Sequence, residues 1–494
     1  MQTVVIGSGA SGVCSALILA RYGHKVTLLE AGREVAPLLR GFSRGGLHFD
    51  TGFHHAGALG PGGILRRYLN FCGLGRELSF KPYRQDCSEL FRFVSDTGYE
   101  DVPLPQGTGK TTKTLASRWP EHAGFIRRFL SDIESAYRHS PFIDPRRMSA
   151  QSLMMPSGGK LAARFESADL PARLRSLLSA RSIYYGTPPG RCLFEEFALV
   201  THSMQEGVCG IENGGAALSR AFELALSRAG VDVRTGHKVT GLNASKSGVA
   251  EVLTDKGTFA CEGCVYTGHP SRLPELLPQG SLRPAMARHL RTLEETSRFF
   301  MLFGSTSRDF LDGRSVLLCM SDDIENLFSS TDARHAWLHV SAGTPVDGRY
   351  PVFAVARTSV LSPEEAQGLE SSGPGKKGGR PAWYPGWKDE MQNRLAGLIA
   401  RHIPELNDFR VVDSCSEYSM RDWVEGSSGS IYGVMHSADN MPVPPFTRIP
   451  GLVLAGQSIL LPGLLGAFIS AAVACGHFTG YERLFRDLAC ANAE

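Results

Sequence analysis

The chain has 494 residues, of which 42% are hydrophobic and 20% charged, and its formal net charge at pH 7 is +3. This length and composition are typical of a globular protein with two substantial cores, and they exclude a disordered or fibrous chain. The small net charge and the lack of a long basic run argue against a nucleic-acid partner.

The eleven cysteines are scattered along the chain and odd in number. This pattern indicates free thiols in a reducing compartment, so we expect a cytoplasmic location. One CxxC pair, Cys261 and Cys264, lacks the second pair that a structural zinc site needs. No metal site is therefore predicted.

The first thirty residues have the pattern of a dinucleotide-binding unit. A β-branched run at residues 4–6 precedes the sequence GSGASG at 7–12, which has GxGxxG spacing, and residues 13–22 have helical apolar spacing. Residues 25–29 form the predicted second strand. Glu30 follows that strand, at the place where a carboxylate accepts hydrogen bonds from ribose hydroxyls.

Each glycine of this turn has its own predicted role. Gly7 permits the tight turn, Gly9 lets the backbone approach a pyrophosphate, and Gly12 lets the helix pack closely on the strand. The helix that starts at Ala10 and Ser11 directs its free N–H groups at the phosphates. An acid at position 30 disfavours a 2′-phosphate, so the predicted ligand is FAD or NAD rather than NADP.

The longest apolar stretch, residues 450–478, is long enough to suggest a membrane span. A turn at Gly456-Gln457 and a second break at Pro462-Gly463 interrupt it, so a short strand, a turn and a small-residue helix are predicted instead. This unit looks like a second half-site for the same cofactor.

Three segments resemble flavoproteins of the phytoene desaturase, carotenoid isomerase and retinol saturase superfamily. The run GLHFDTGFHHAG at 46–57 and the run GQSILLPGLLGA at 456–467 resemble motifs of retinol saturases. Between them, Gly214-Gly215 with the helix that follows, and the strand region that includes Val239, resemble the middle segment of the FAD domain. Residues 75–205 and 280–420 match only in general pattern, so we expect them to determine substrate specificity.

The resemblance implies an α/β protein with a discontinuous Rossmann-type FAD-binding domain and an α+β substrate domain, as in amine oxidases and phytoene desaturases. The predicted FAD domain comprises residues 1–74, 206–279 and 440–494, and the substrate or cap domain comprises 75–205 and 280–439. FAD is favoured over NAD because the half-sites are split along the chain. The predicted FAD contacts are Gly7, Gly9, Ala10, Ser11, Gly12, Glu30, Ala31, Arg40, Val239, Gly456, Gln457, Gly463, Gly466 and Ala467.

The chain departs from the family at one place. Relatives have a Gly-Gly pair after the acid, near the flavin phosphates, whereas this chain has Ala36-Pro37. Proline has no N–H to donate there. Arg40 lies nearby and could bind the pyrophosphate instead, although an exposed loop arginine is an equal alternative.

Three residues are candidates for a catalytic proton. His54 and His55 follow the Asp50-Thr51-Gly52 turn, which in the family lies close to the flavin, and an imidazole can exchange a proton near neutral pH. Tyr432 lies in a glycine-flanked segment before the C-terminal FAD strand. For all three, a purely structural role in the core is the alternative.

The resemblance implies a flavoenzyme that acts on carbon–carbon bonds of a hydrophobic, conjugated, polyene-like substrate, with double-bond reduction favoured over desaturation and cis–trans isomerisation. An amine oxidase, or a non-catalytic lipid carrier with the architecture of GDP-dissociation inhibitors, is the alternative. No second nucleotide unit is evident, so an external electron donor or acceptor is expected. Basic helical segments at 120–140 and 160–182 could form a cap that contacts a membrane peripherally, although a solvated basic face over a packed apolar one is the more common explanation. Strands are predicted at 296–304, 315–320 and 335–342, and a solvated loop at 371–379.

Overall fold

The computed structural model describes residues 1–147, 159–329, 337–357, 380 and 382–491. The loop predicted at 371–379 lies outside these residues. Within the described ranges, none of the helices combines the length and apolar character that a bilayer crossing requires.

The predicted N-terminal unit is present. Strand Gln2–Ile6 leads through the glycine turn into helix Ala10–Arg21, and strand Lys25–Leu29 returns parallel to the first strand. Residues Val4, Val5 and Leu28 are fully buried because helices cover the sheet. The β-branched run, the glycine spacing and the apolar helix therefore predicted the local structure correctly.

A five-stranded parallel sheet brings together the beginning, middle and end of the chain. Strand Gln2–Ile6 lies at its centre, with Gly263–Tyr266 on one side and Lys25–Leu29 on the other. Leu452–Leu454 and Asp232–Arg234 form the two edges. The strands fall within the three segments that the sequence assigns to the FAD domain, while the domain boundaries stay a prediction.

Helices pack on this sheet. Helices Ala10–Arg21 and Gly463–Thr479 lie against each other, and small residues on the second one allow their close approach. Helix Gly214–Arg228 contributes to the same apolar core. A three-stranded antiparallel sheet follows the middle segment, with strands Val239–Ser245, Gly248–Thr254 and Gly257–Ala260.

A seven-stranded sheet forms the second large layer. Its order is Arg410–Ser416, Phe299–Thr306, Tyr350–Arg357, Trp337–Ala342, Ser315–Cys319, Glu89–Ser95 and Gly98–Leu104. Neighbouring strands are antiparallel except for Ser315–Cys319 and Glu89–Ser95. The strands predicted near 296–304, 315–320 and 335–342 are confirmed in their described parts. An apolar cluster lies on each face of this sheet.

Helices and short strands connect and cover the two sheets. In the predicted helical segment 120–140, helix Ala123–His139 buries Ile126, Phe129 and Ile133 as expected. Segment 160–182 is less regular, because its α-helix is limited to Ala172–Ser179. The remaining α-helices are Pro37–Arg40, Ile64–Phe71, Thr108–Arg118, Phe194–Glu206, Leu273–Leu276, Pro284–Arg291, Ile324–Ser329, Tyr384–His402, Glu417–Trp423 and Tyr481–Ala489. The remaining strands are Phe42–Arg44, Leu47–Phe49, Phe80–Pro82 and Cys209–Ile211.

Candidate active site

The glycine turn leaves open space on one side. A Cβ on Gly12 would lie 1.8 Å from the Gly7 carbonyl oxygen, and a Cβ on Gly7, whose φ is +96°, would lie 2.6 Å from Thr267 Oγ1. A Cβ on Gly9 would meet no protein atom within 4 Å. Gly7 and Gly12 are thus required by the fold, while Gly9 keeps an approach to the backbone open, as a dinucleotide phosphate needs.

Glu30 connects the turn to the second strand. Its Oε2 accepts hydrogen bonds from the Ser8 N–H at 2.9 Å and the Ser8 hydroxyl at 2.7 Å, and its Oε1 accepts one from the Gly32 N–H at 2.7 Å. A carboxylate offers about four acceptor positions. Glu30 therefore keeps acceptor capacity for a ribose hydroxyl.

The segment that departs from the family has a backbone conformation that is unusual for alanine. Ala36 has φ +50° in the left-handed region and is buried. This conformation normally favours glycine. Arg40 makes an ion pair with Glu223 and lies 3.5 Å from Glu34, so in this structure its charge is already paired with carboxylates.

The two predicted half-sites meet. A Cβ built on Gly456 would lie 3.6 Å from Ser11 Oγ, which places the C-terminal turn beside the first helix. The Gly456 N–H donates to Ser470 Oγ at 3.0 Å. Gly463 begins the last long helix, and a Cβ on Gly466 would collide with the Leu461 carbonyl oxygen.

The middle segment also reaches this site. The His237 N–H donates to the Glu30 carbonyl oxygen at 2.8 Å, just before Val239 opens the next strand. Asp50 Oδ1 accepts a hydrogen bond of 2.7 Å from the Gly215 N–H, at the start of helix Gly214–Arg228. A carboxylate at a helix N-terminus is electrostatically favourable. All three resembling segments therefore converge.

His54 and His55 lie in the interior with part of their surface accessible. The ring of His54 is 4.7 Å from that of Phe353, and the ring of His55 is 5.1 Å from Tyr83 and 5.5 Å from His339. Burial lowers the pKa of His54 and lowers that of His55 to about 4, with His54 adding to the effect on His55. The two imidazoles are consequently neutral at pH 7.

A buried ion pair lies close to the histidine group, which consists of His54, His55 and His339. Glu89 is 2% exposed and pairs with Arg181, which is 4% exposed. The Tyr184 hydroxyl donates to Glu89 Oε1 at 2.8 Å, and the Tyr184 ring is 5.6 Å from His339 and 6.1 Å from His55. Burial, and then the Glu89 carboxylate, raise the pKa of Tyr184 well above its usual value. Its proton therefore stays on the oxygen.

The loop that carries Tyr432 packs on the C-terminal cofactor motif. The Val434 N–H donates to Ser458 Oγ at 3.3 Å, and the His436 ring donates to the Gln457 carbonyl oxygen at 2.7 Å. On the other side, a Cβ built on Gly186 would lie 3.2 Å from the Tyr432 ring. Burial alone raises the pKa of Tyr432 to about 12.

The sequence did not single out Glu89, Arg181 or His339 as site residues. A histidine at an alternating position of a predicted apolar strand was a usable signal for His339. The aromatic run at 183–185 was the corresponding signal for Tyr184. Within the described residues, no group of His, Cys, Asp and Glu side chains is arranged to hold a metal ion.

Residues 10–346 match the flavin containing amine oxidoreductase family. The chain belongs to this family. It is an FAD-dependent oxidoreductase, and the cofactor and superfamily predicted from the sequence are confirmed.

Individual relatives are distant but extensive. The chain is 23% identical to the human all-trans-retinol 13,14-reductase over 99% of its own length and 87% of that protein. It is 29% identical to a phytoene dehydrogenase from Streptomyces griseus over 58% of each chain. The crystal structure of an oxidoreductase from Methanosarcina mazei superposes with a TM-score of 0.67 at 17% identity, covering 96% of this chain and 99% of that one, which confirms the fold.

Proposed function

We propose that this flavoenzyme reduces a carbon–carbon double bond of a hydrophobic, conjugated polyene. The structural observation that carries the proposal is the Tyr432 loop, which packs against Gln457 and Ser458 of the cofactor motif on one side and places the Tyr432 ring against Gly186 on the other. The near full-length similarity to all-trans-retinol 13,14-reductases supports the direction of the reaction.

The proposed FAD site combines the glycine turn, Glu30 and the C-terminal motif. We assign the pyrophosphate to Gly9, Ala10 and Ser11, the adenosine ribose to Glu30, and the flavin half to Gly456 and Gln457. Ala31, Val239, Gly463, Gly466 and Ala467 border these positions. Bound FAD supplies the hydride exchange with a substrate carbon.

The two neutral histidines are the side chains that we place around the reacting carbons. Neutral His54 and His55 offer polar contacts without a cation, which suits an uncharged conjugated segment more than an ammonium group. This environment favours polyene chemistry over amine oxidation, the alternative within the same family.

Reduction of a double bond also needs a proton at the second carbon, and we assign it to the Tyr432 hydroxyl. Loss of a proton from Tyr184 would place a tyrosinate beside Glu89, which Coulomb repulsion opposes. Burial alone opposes ionisation of Tyr432. A hydroxyl with this pKa keeps its proton until a strongly basic carbon takes it.

Desaturation is the second candidate, because the phytoene dehydrogenase relative supports it and the same residues would bind the substrate. Either reaction requires an external electron donor or acceptor. Peripheral membrane contact through the basic face of helix Ala123–His139 would give access to a lipid-like substrate.

The test is anaerobic reduction of the purified holoenzyme by dithionite, followed by addition of all-trans-retinol or a carotenoid. Return of the oxidised flavin spectrum, with loss of the polyene absorption, is expected for a reductase. In a parallel sample that is left oxidised, bleaching of the flavin by the polyene identifies a desaturase. A colourless protein that FAD does not reconstitute would instead support the lipid-carrier alternative.

A further inference from the structure

Arg357 is a partly buried cation, and the described residues supply no carboxylate that balances its charge. Its Nε donates to Ser297 Oγ at 3.0 Å and its Nη1 donates to the Leu327 carbonyl oxygen at 3.5 Å. Among the residues that the structure describes, it makes no ion pair with a carboxylate, and burial lowers its pKa to about 10. The buried arginines Arg92 and Arg181 differ from it, because both are paired with acids.

A second hydrogen-bond donor lies on the neighbouring strand. The pairing of Leu338 with Ala356 places Trp337 directly opposite Arg357 on the neighbouring strand. Trp337 is 5% exposed, and its Nε1–H has no hydrogen-bond partner among the residues that the structure describes. Opposite positions in an antiparallel pair bring side chains to about 5 Å on one face of the sheet.

This face is continuous with the candidate active site. Phe353, which contacts His54, and Val355 share the alternating face of Arg357, and both belong to the apolar cluster that includes Trp337. Arg357 follows Phe353 by four residues, or about 13 Å along the strand. The active-site end is aromatic, whereas the far end carries the Arg357 guanidinium and the Trp337 N–H, for which the described residues offer no carboxylate.

A second set of contacts links the same two places. The Ile431 N–H donates to the Ser297 carbonyl oxygen at 3.0 Å, and Ser297 Oγ is the acceptor for Arg357. Tyr432, next in sequence, lies at the active site. Tyr432, Ser297 and Arg357 all keep part of their surface accessible.

We propose that Arg357 and Trp337 bind the carboxylate end of the substrate, so that the enzyme acts on a polyene carboxylic acid. A guanidinium binds a carboxylate through two parallel hydrogen bonds, and the indole N–H provides a third donor. An anion there balances a charge that is otherwise costly to bury. This inference rests on the proposed function, because it identifies the substrate class of the same site.

The experiment measures binding of all-trans-retinoic acid and all-trans-retinol to the oxidised holoenzyme by flavin absorbance titration. The wild type is expected to bind the acid about 10-fold or more tightly than the alcohol. Arg357→Met should raise the acid Kd about 10- to 100-fold and leave the alcohol Kd and FAD content unchanged. Trp337→Phe should raise the acid Kd by a smaller factor. Arg401→Met, which removes an exposed arginine, is the matched control.

Equal Kd values for acid and alcohol in the wild type would overturn the proposal. An equal loss of affinity for the two ligands in Arg357→Met would also overturn it. Hexadecanoate and hexadecanol have no double bond to reduce, so their Kd values measure anion binding independently of the proposed reaction. If hexadecanoate binding depends on Arg357 but no polyene reoxidises the reduced enzyme, the anion site stands and the proposed reaction fails.

Discussion

The Glu30 carboxylate binds both the backbone N–H and the hydroxyl of Ser8, at 2.9 and 2.7 Å. These bonds connect the end of the second strand to the middle of the glycine turn. The Ser8 hydroxyl in turn accepts a hydrogen bond from the Ala36 N–H at 3.0 Å. Glu30 thus organises both the turn and the segment that departs from the family, in addition to its proposed contact with the ribose.

Replacement of Glu30 by alanine should weaken FAD binding about 10- to 100-fold, because the ribose and the turn both lose a charged acceptor. Fluorescence titration of the apoprotein with FAD measures this loss. Glu482→Ala, which removes an exposed carboxylate from helix Tyr481–Ala489, should leave the affinity unchanged. Similar FAD affinities for Glu30→Ala and the wild type would contradict the assignment.

Alanine substitutions at Gly9 and Gly12 should separate cofactor binding from folding. Gly9→Ala places its methyl group in space free of protein atoms, and its φ of −61° suits any residue, so the apoprotein should keep its melting temperature while FAD affinity falls. Gly12→Ala collides with the Gly7 carbonyl and should destabilise the fold by about 2 kcal/mol or more. Thermal melting and flavin content distinguish the two. Full flavin content in Gly9→Ala would refute the proposed pyrophosphate approach.

Removal of the Tyr432 hydroxyl should slow the reaction without loss of the cofactor. We expect Tyr432→Phe to lower kcat by about 100-fold, the effect of losing a general acid, with little change in FAD content or substrate Kd. Tyr99→Phe, at a residue that is 43% exposed, is the matched control. Stopped-flow reoxidation of the reduced enzyme by a polyene provides the rate. An unchanged rate in Tyr432→Phe would mean that another group donates the proton.

The buried pair of Glu89 and Arg181 should show strong coupling. Glu89→Gln or Arg181→Met alone leaves an unpaired buried charge and should reduce the free energy of unfolding by about 3 to 5 kcal/mol. The double variant removes both charges and should recover most of that loss. Urea unfolding of the four proteins measures the coupling. If the two losses simply add, the pair contributes no mutual stabilisation.

The sequence predicted the cofactor half of the protein better than the substrate half, for a physical reason. The roles of Gly7, Gly12 and Glu30 depend on a turn and two strands within thirty residues, so local pattern was sufficient. Arg40 shows what the local pattern could not predict, because its partner Glu223 is 183 residues away and only the folded chain brings them together. The meeting of His55 with His339, and of Glu89 with Arg181, likewise depends on the order of strands in the large sheet.

The histidine group should make stability depend on pH. The pKa of His55 is about 4 in the folded protein, below its ordinary value of 6.5, so the unfolded chain binds the extra proton first as pH falls. The contribution of His55 to the free energy of unfolding is therefore complete above about pH 6.5, and it is lost progressively as the pH falls to about 4. Between about pH 7 and pH 5, the free energy of unfolding of the wild type should fall by about 1 kcal/mol more than that of His55→Phe. This figure is reduced because solvent reaches part of the His55 side chain.

Urea unfolding of both proteins at the two pH values measures this difference. Burial raises the pKa of Glu196 to about 7, which gives an opposite pH dependence, but Glu196 is present in both proteins and its effect cancels. His139→Asn, at an exposed position, should follow the wild-type curve. Parallel curves for the wild type and His55→Phe would mean that His55 is protonated as readily in the folded protein as in the unfolded chain, and the neutral setting proposed for the substrate would then be wrong.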